Sequence, residues 1–221
     1  MDRVIWLSHE LAENTPAYGD GESLTRETLT SISGGDTANT VRLILPNHLG
    51  THVDAPFHFA AEGKTLSDFP ADFWVFEKPV LVDVPGDEGY LVEPKDVEGQ
   101  IPEETDLILL RTGFEKYRGE EAYWARNPGI SPELGGWLRK THPTVRAIGM
   151  DVISVTSRLH RMEGREAHHA LLDPNRPGTP VLAIEDMALA HVQGNLKSVI
   201  VAPLRVQNGD GGPCTVVAFQ D

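Results

Sequence analysis

The stretch from Pro46 to Pro70 limits what this chain can fold into more than any other. Its centre reads His48-Leu49-Gly50-Thr51-His52-Val53-Asp54-Ala55-Pro56-Phe57-His58, so three of the nine histidines fall within eleven residues, with an aspartate between the second and third. Histidine and carboxylate together form a metal-ligand set. Positions 48, 52, 54 and 58 are all even, and a continuous strand would put the four side chains on one face. A strand rises roughly 3.3 Å per residue, which leaves His48 and His52 about 13 Å apart, too far to share an ion whose ligands sit at about 2 Å. A helix brings 48 and 52 together, but it turns Asp54 roughly 200° from His52 and runs into Pro56. Neither regular form gathers the four. A bend at Gly50 followed by an extended His52-Val53-Asp54 does, and Gly50 and Pro56 are the residues such a bent, fixed backbone requires.

The rest of the chain decides which residues can complete such a site. Cys214 is the single cysteine, so an intrachain disulfide and a cysteine zinc cage are both excluded. It reads as a small core residue. Any metal is therefore held by His, Asp and Glu. His58, four residues after Asp54, is either a further ligand or a general base beside the metal. A second cluster stands at His168-His169-Ala170-Leu171-Leu172, and Glu185 ends a short apolar run that would project it at a strand edge. Taken alone these are surface residues. Beside a site short of ligands, a His and a Glu from a distant segment can complete it. His9, His142, His160 and His191 have no cluster partner and read as structural.

Coarse patterning predicts the frame. Arg3 to Ser8 is a first strand, and His9 to Glu22 is a loop that carries Tyr18, either over a substrate or as a surface plug. Thr37 to Leu45 alternates polar and apolar, which predicts a half-buried strand leading directly to His48. Further strands are expected at Pro79–Val84, Asp106–Arg111, Val145–Met150, Val181–Ile184, Ser198–Val206 (broken at Pro203) and Thr215–Phe219. One helical turn is expected at Pro94–Glu98, and a helix at Glu115–Arg126 weakened by Gly119. Another helix opens with Ser131 as N-cap and Pro132 at the first position and runs to about Lys140. Strands outnumber helices without strict alternation, so the expected class is α/β, one domain over 1–221 with a mixed sheet. No G-x-G-x-x-G, P-loop or G-x-S-x-G occurs, which leaves dinucleotide, nucleotide and serine-hydrolase chemistry without a motif.

Charge narrows the partners. A formal net charge of −14 repels phosphate backbones and anionic lipid, so neither nucleic acid nor a membrane surface is an expected partner. No apolar run approaches a membrane span, and Met1 to Leu7 is too short and too charged for a signal peptide, which makes the cytoplasm the expected compartment.

The eleven residues from His48 fit H-x-G-T-H-x-D-x-P-x-H at every fixed position. This resembles the signature of the cyclase family of metal-dependent hydrolases, which includes bacterial kynurenine formamidase (arylformamidase) and isatin hydrolase. The resemblance continues in Thr15 to Asp20, Leu110-Arg111-Thr112-Gly113, Ile148 to Asp151, His168 to Leu172, Leu182 to Met187 and Pro203-Leu204-Arg205. It implies a swivelling β/β/α fold, a homodimer or homotetramer, and one or two divalent ions, zinc first and manganese second. It also implies roles. His48, His52 and Asp54 would bind one ion, Asp54 would bridge to a second held also by His168 and Glu185, and His58 would carry protons. Tyr18 would line the pocket of a small-molecule amide substrate, with Phe57 and Trp74 as further candidates to meet an aryl ring. The segment Asp173 to Gly178 is an insertion relative to the family pattern, placed where it could reshape the pocket.

Overall fold

Leu107-Ile108-Leu109-Leu110 is apolar at four consecutive positions, the pattern of a strand covered on both faces. The structure is a computed structural model that describes residues 3–221, and in it this run is fully buried. Along the described residues the strands are β1 (Arg3–Trp6), β2 (Thr25–Thr30), β3 (Thr40–Ile44), β4 (His52–Asp54), β5 (Val75–Phe76), β6 (Pro79–Asp83), β7 (Leu91–Val92), β8 (Leu107–Arg111), β9 (Gly129–Ile130), β10 (Ala147–Met150), β11 (Leu182–Glu185), β12 (Leu196–Pro203) and β13 (Gly211–Gln220). The α-helices are α1 (Pro94–Val97), α2 (Ala122–Ala125), α3 (Pro132–Thr141) and α4 (Arg161–Leu172).

Nine strands form one sheet in the order β5-β12-β13-β4-β11-β10-β8-β6, with β1 also beside β13. β6, β8, β10 and β11 run parallel, whereas β4 is antiparallel to both of its neighbours. The protein is thus α/β with a mixed sheet. β13 has two roles along its length. Gly211–Pro213 pair with β4, and the remainder pairs with β12 and β1.

Because side chains alternate across a strand, the sheet feeds two cores. Leu107, Leu109, Leu182 and Ile184 meet Val199, Val201, Val216 and Trp74 on one face. Ile108, Leu110, Ile148 and Ala183 meet Leu134 and Leu138 of α3 and Ala167 and Leu171 of α4 on the other. Each fully buried aliphatic side chain contributes roughly 1.5–3 kcal/mol of transfer free energy. α3 begins as its sequence predicts. Ser131 Oγ accepts the Leu134 amide at 3.2 Å, and Pro132 occupies the first turn.

The structure corrects several expectations. β3 is exposed at every position rather than half-buried, because its only pairing partner is β2, a strand not foreseen, and the two form a separate hairpin. The expected helix over 115–126 is two short pieces, a 3-10 turn at Phe114–Tyr117 and α2, separated around Gly119. Helix α4 was not foreseen. Four of its first six residues are charged, and the half carries no apolar stripe. Glu185 lies at no edge: β11 runs between β4 and β10, and the residue is buried.

Candidate metal centre

The bend predicted at Gly50 is present. Gly50 has φ +66°, a left-handed conformation that favours glycine, and a Cβ there would push on the end of the Leu11 side chain. The chain then straightens into β4. His52 and Asp54, two apart on one strand, share a face. Glu185 is the direct cross-strand partner of His52, and Gly211 of Asp54, so Glu185 joins that face and the start of β13 borders it. The 3-10 turn Pro56–His58 returns His58 to the cluster. Helix α4 crosses above and supplies His168, which is buried, while its neighbour His169 does not line the cavity.

The side chains meet as follows. His52 Nε2 lies 3.5 Å from Asp54 Oδ1 and 3.3 Å from Glu185 Oε2. His168 Nε2 lies 3.6 Å from Asp54 Oδ2 and 3.5 Å from Glu185 Oε1. Each carboxylate thus offers one oxygen to each ring. Both rings are fixed by their other nitrogen: His52 Nδ1 donates to the Gly50 carbonyl and His168 Nδ1 to the Gly164 carbonyl, both at 2.8 Å. That leaves Nε2 of each ring facing the carboxylates, the orientation by which backbone carbonyls prepare ligating histidines.

These distances test whether an ion fits. Charged hydrogen bonds run about 2.7–2.9 Å. Ligand atoms about 2.0–2.2 Å from a tetrahedral ion stand roughly 3.3–3.6 Å from one another. All four separations fall in the second range. The donor atoms of His52, Asp54 and Glu185 lie within 4.8 Å of one another, as do those of His48, Asp54 and His58. The residues present fit a divalent metal.

One residue of the cluster was not foreseen. Asp210, just before β13, accepts from His48 Nε2 and His58 Nδ1, both at 2.9 Å, while His48 Nδ1 stands 2.8 Å from Asp54 Oδ1. Asn47 holds Asp210 from outside at 2.7 Å. Only the pairing of β13 with β4 brings Asp210 there, and a Gly-Asp-Gly-Gly run before a strand gives no hint of it. The rings of His48 and His58 stack with centroids 4.0 Å apart.

Electrostatics separate the histidines. Burial disfavours a charged His52, but the adjacent Glu185 and Asp54 carboxylates outweigh it and lift the ring to about 9. Burial likewise opposes charge on His168, and the facing Asp54 and Glu185 carboxylates raise it to about 10. For Glu185, burial and the charge of Asp54 raise the carboxyl, yet His168 and His52 bring it to about 2. His58 goes the other way: burial, helped by the charges of His48 and His168, holds it below the ordinary histidine value. Without metal, His52 and His168 carry protons where cationic charge is wanted, and His58 is a neutral base at pH 7.

The cavity over this cluster is about 300 Å³ and is also lined by Tyr18, Phe59, Ile153, Ser154, Thr156, Arg161 and Arg165. Tyr18 takes the pocket position expected of it. Phe57 and Trp74 do not. Phe57 is partly exposed and does not line the cavity, and Trp74 packs in the β12–β13 core. The aromatic wall is instead Phe59, stacked on His168 at 4.4 Å. The insertion 173–178 does not line the cavity. Arg139 of α3 donates to the carbonyls of Asp173, Arg176 and Gly178 and ties it down.

α4 approaches its floor closely at Gly164, where an added Cβ would stand 2.5–2.6 Å from Thr156 atoms. Gly164→Ala is expected to cost about 1–3 kcal/mol through overpacking and to displace His168 one turn on. Denaturant unfolding with metal analysis checks this, and a variant matching wild type in both would show that the helix has slack.

Fold and donor set together define an α/β protein with a buried His–carboxylate cluster able to hold divalent metal. The chain belongs to the Cyclase family, described as "Putative cyclase", whose profile matches residues 5–157. Kynurenine formamidase of Bacillus thuringiensis (strain Al Hakam) is 32% identical over 218 residues, covering 96% of this chain and 95% of the relative. The kynurenine formamidase of Geobacillus thermodenitrificans is 28% identical over the same span. Among solved structures, isatin hydrolase A from Labrenzia aggregata superimposes with a TM-score of 0.83 at 23% identity, over 99% of this chain and 94% of that one. That likeness is one of fold.

Proposed function

We propose that this protein is a metal-dependent hydrolase of an amide C–N bond, with an N-formyl aryl amine of the N-formylkynurenine type as its first substrate. The observation that carries this reading is the pairing of two different histidine environments in one cavity. Rings fixed through Nδ1 face shared carboxylates, and beside them stands a neutral ring backed by Asp210. In this reading His48, His52 and Asp54 hold one divalent ion, and Asp54, His168 and Glu185 hold a second. Zinc is the first choice and manganese the second, since His and carboxylate serve both. When bound, such an ion lowers the pKa of water from 15.7 to about 7 and polarises a carbonyl oxygen.

The chain's own residues do the rest. His58 Nδ1–H donates to Asp210, which leaves the Nε2 lone pair free. Nε2 takes a proton from the attacking water and returns it to the leaving nitrogen. The Asp210 carboxylate offsets the charge that His58 gains between those two events. Tyr18 and Phe59 provide apolar walls against which an aryl ring excludes water. One water is consumed, and a carboxylate and an amine are released.

Turnover of N-formylkynurenine and of isatin, measured side by side before and after chelation, tests the reading. Formamide turnover that disappears with the metal and returns on its readdition is the expected result. Inactivity of the metal-loaded protein on both would remove these substrates. A second reading, a cyclic-amide hydrolase using one ion, draws on one observation. Glu185 Oε1 already accepts from the Val155 amide at 2.7 Å and from Ser154 Oγ at 3.2 Å, which competes with its use as a ligand. Elemental analysis separates the two readings by counting one ion or two.

Metal uptake should also report the protons described above. His52 and His168 must be neutral to ligate, and in the metal-free chain they are charged below about 9 and about 10. Apparent affinity for each ion is therefore expected to rise with pH by up to ~10-fold per unit while its ring carries a proton, and then to level off. Titration calorimetry in buffers of different ionisation enthalpy counts the protons. A pH-independent affinity would exclude both rings as ligands.

The assembly state we favour is a homodimer or homotetramer. In its support, the β2–β3 hairpin leaves Leu29, Val41, Leu43 and Ile44 exposed, and an isolated two-stranded ribbon is marginal in water unless something packs on it. A small-molecule partner, with neither nucleic acid nor membrane, accords with the acidic charge. Among the described residues no helix is long and apolar enough to cross a membrane. The single cysteine is buried and free, in keeping with a cytoplasmic setting.

A further inference from the structure

The chain carries 33 acidic side chains against 19 basic ones, so an arginine without a carboxylate partner is made scarce by composition alone. Six of the thirteen arginines follow that expectation, and what sets Arg161 and Arg165 apart among the other seven is their place in the cavity. Arg42, Arg111, Arg118, Arg126, Arg146 and Arg176 each pair with Asp or Glu. Arg161 and Arg165 do not. Neither has an ion pair or side-chain hydrogen bond among the described residues, and both line the cavity above the His–carboxylate cluster. Apart from Asp54 and Glu185, they are the only Asp, Glu, Lys or Arg side chains among the described residues that do.

Their placement on α4 is systematic. Positions 161, 165 and 168 are spaced four and three apart, which puts them on one helical stripe. The helix face that delivers His168 therefore carries a guanidinium one turn and two turns before it. At 1.5 Å per residue these lie about 4.5 and 10.5 Å from His168 along the axis. A third arginine lies nearby without lining the cavity: the Arg158 guanidinium stands 5.7 Å from the centre of the Tyr18 ring. The acidic residues of the same helix are disposed otherwise. Glu166 is bound to Arg176, and Glu163 falls roughly 200° around the helix from Arg161.

We infer that the cavity selects substrates carrying an anionic group, a carboxylate on the part of the molecule remote from the bond that breaks, and that Arg161 and Arg165 bind it. Guanidinium suits this role because it is always charged, planar, and able to donate two parallel hydrogen bonds to one carboxylate. The spacing sets the reach, with the anion about 5–10 Å from the reacting carbonyl and toward the N-terminal end of α4. The substrate would lie along the helix, its acyl group by His168 and His58, its aryl ring between Tyr18 and Phe59, and its carboxylate at the mouth. Two unpaired positive charges at the mouth of an acidic protein also draw anions toward the one place where they can react.

This inference rests on the hydrolase reading only for the identity of the group at the metal end. The selectivity of the cavity can be measured without turnover. Two assays on the protein as purified separate them. In the first, kcat/KM is compared for N-formylanthranilate and formanilide, which differ by one carboxylate, in wild type and in the Arg161→Gln/Arg165→Gln double variant. The selectivity for the anionic substrate is expected to fall by roughly 10–100-fold, mostly through KM. In the second, binding of benzenesulfonate and of benzamide is measured by calorimetry. The sulfonate is chosen because it is a weak metal ligand, and its affinity is expected to fall in the double variant by a larger factor than that of benzamide. Arg161→Lys/Arg165→Lys should recover part of both effects, and metal content measured alongside should not change. If the protein turns over neither formamide but binds sulfonate in an arginine-dependent way, the hydrolase reading fails and this one stands. Equal effects of the double variant on charged and neutral partners, or none on either, would overturn it.

Discussion

Asp54→Asn is expected to strip the protein of metal and to lower amide hydrolysis by more than about a thousand-fold. The reason is its position. Asp54 Oδ1 lies 2.8 Å from His48 and 3.5 Å from His52, and Oδ2 lies 3.6 Å from His168, so one carboxylate touches the three histidines proposed as ligands. Its charge is held well below the ordinary carboxylate range. Burial works against ionisation, but the bonds from His168 and His48 and the charge of His52 prevail. An amide of the same shape keeps the packing and removes the charge, leaving the histidines without their common counter-ion. Elemental analysis, circular dichroism and turnover on one preparation check this result. A folded variant with a full metal complement would show that Asp54 serves the fold and not the ion.

The second large effect is expected at His58. His58→Ala should lower kcat by about 10²–10⁴ while metal content holds, because in the proposed reading the ions are held by His48, His52, Asp54, His168 and Glu185, and His58 is bound through Nδ1 to Asp210. The pH profile adds a test that a merely structural role would not move. A base acts when unprotonated, and burial holds His58 below the ordinary value, so wild-type activity should rise through mildly acid pH and be flat by neutrality. The variant should lose that acid limb. Retention of the limb in His58→Ala would assign it to another group.

What the sequence made legible was local. The need for a bend at Gly50, the extension at 52–54 and the cap at Ser131 follow from backbone chemistry within a few residues, and each is found where that chemistry places it. The strand at 107–111 was legible because continuous apolarity admits few other readings. What escaped depends on pairing across the sheet. Asp210 reaches His48 and His58 only because Gly211 pairs with Asp54, 157 positions away in register, and no neighbour in sequence announces it. Glu185 reads as an edge residue until β4 is set beside β11. Phe59 replaced Phe57 at the cavity because a 3-10 turn, unlike a strand, does not keep alternate residues on one face. β3 shows the alternation of a half-buried strand, but among the described residues it pairs with β2 alone and is exposed at every position.

The position of β4 has a consequence for how the protein is made. Its three residues are flanked by a strand from 182–185 and another beginning at 211. The donors at 48–58 wait for a helix and a strand more than a hundred residues downstream, and then for Asp210. Contacts of such separation close late, after loop entropy has been met by the parallel strands between them. The cage that joins Asp54 to His168 and Glu185 cannot template the early steps, because it does not exist until most of the described chain has emerged from the ribosome. Occupancy of the cage is thus a certificate of completion: a stalled or truncated chain that lacks β13 leaves one edge of β4 unpaired and two histidines without their aspartate, and has little means of retaining the ion.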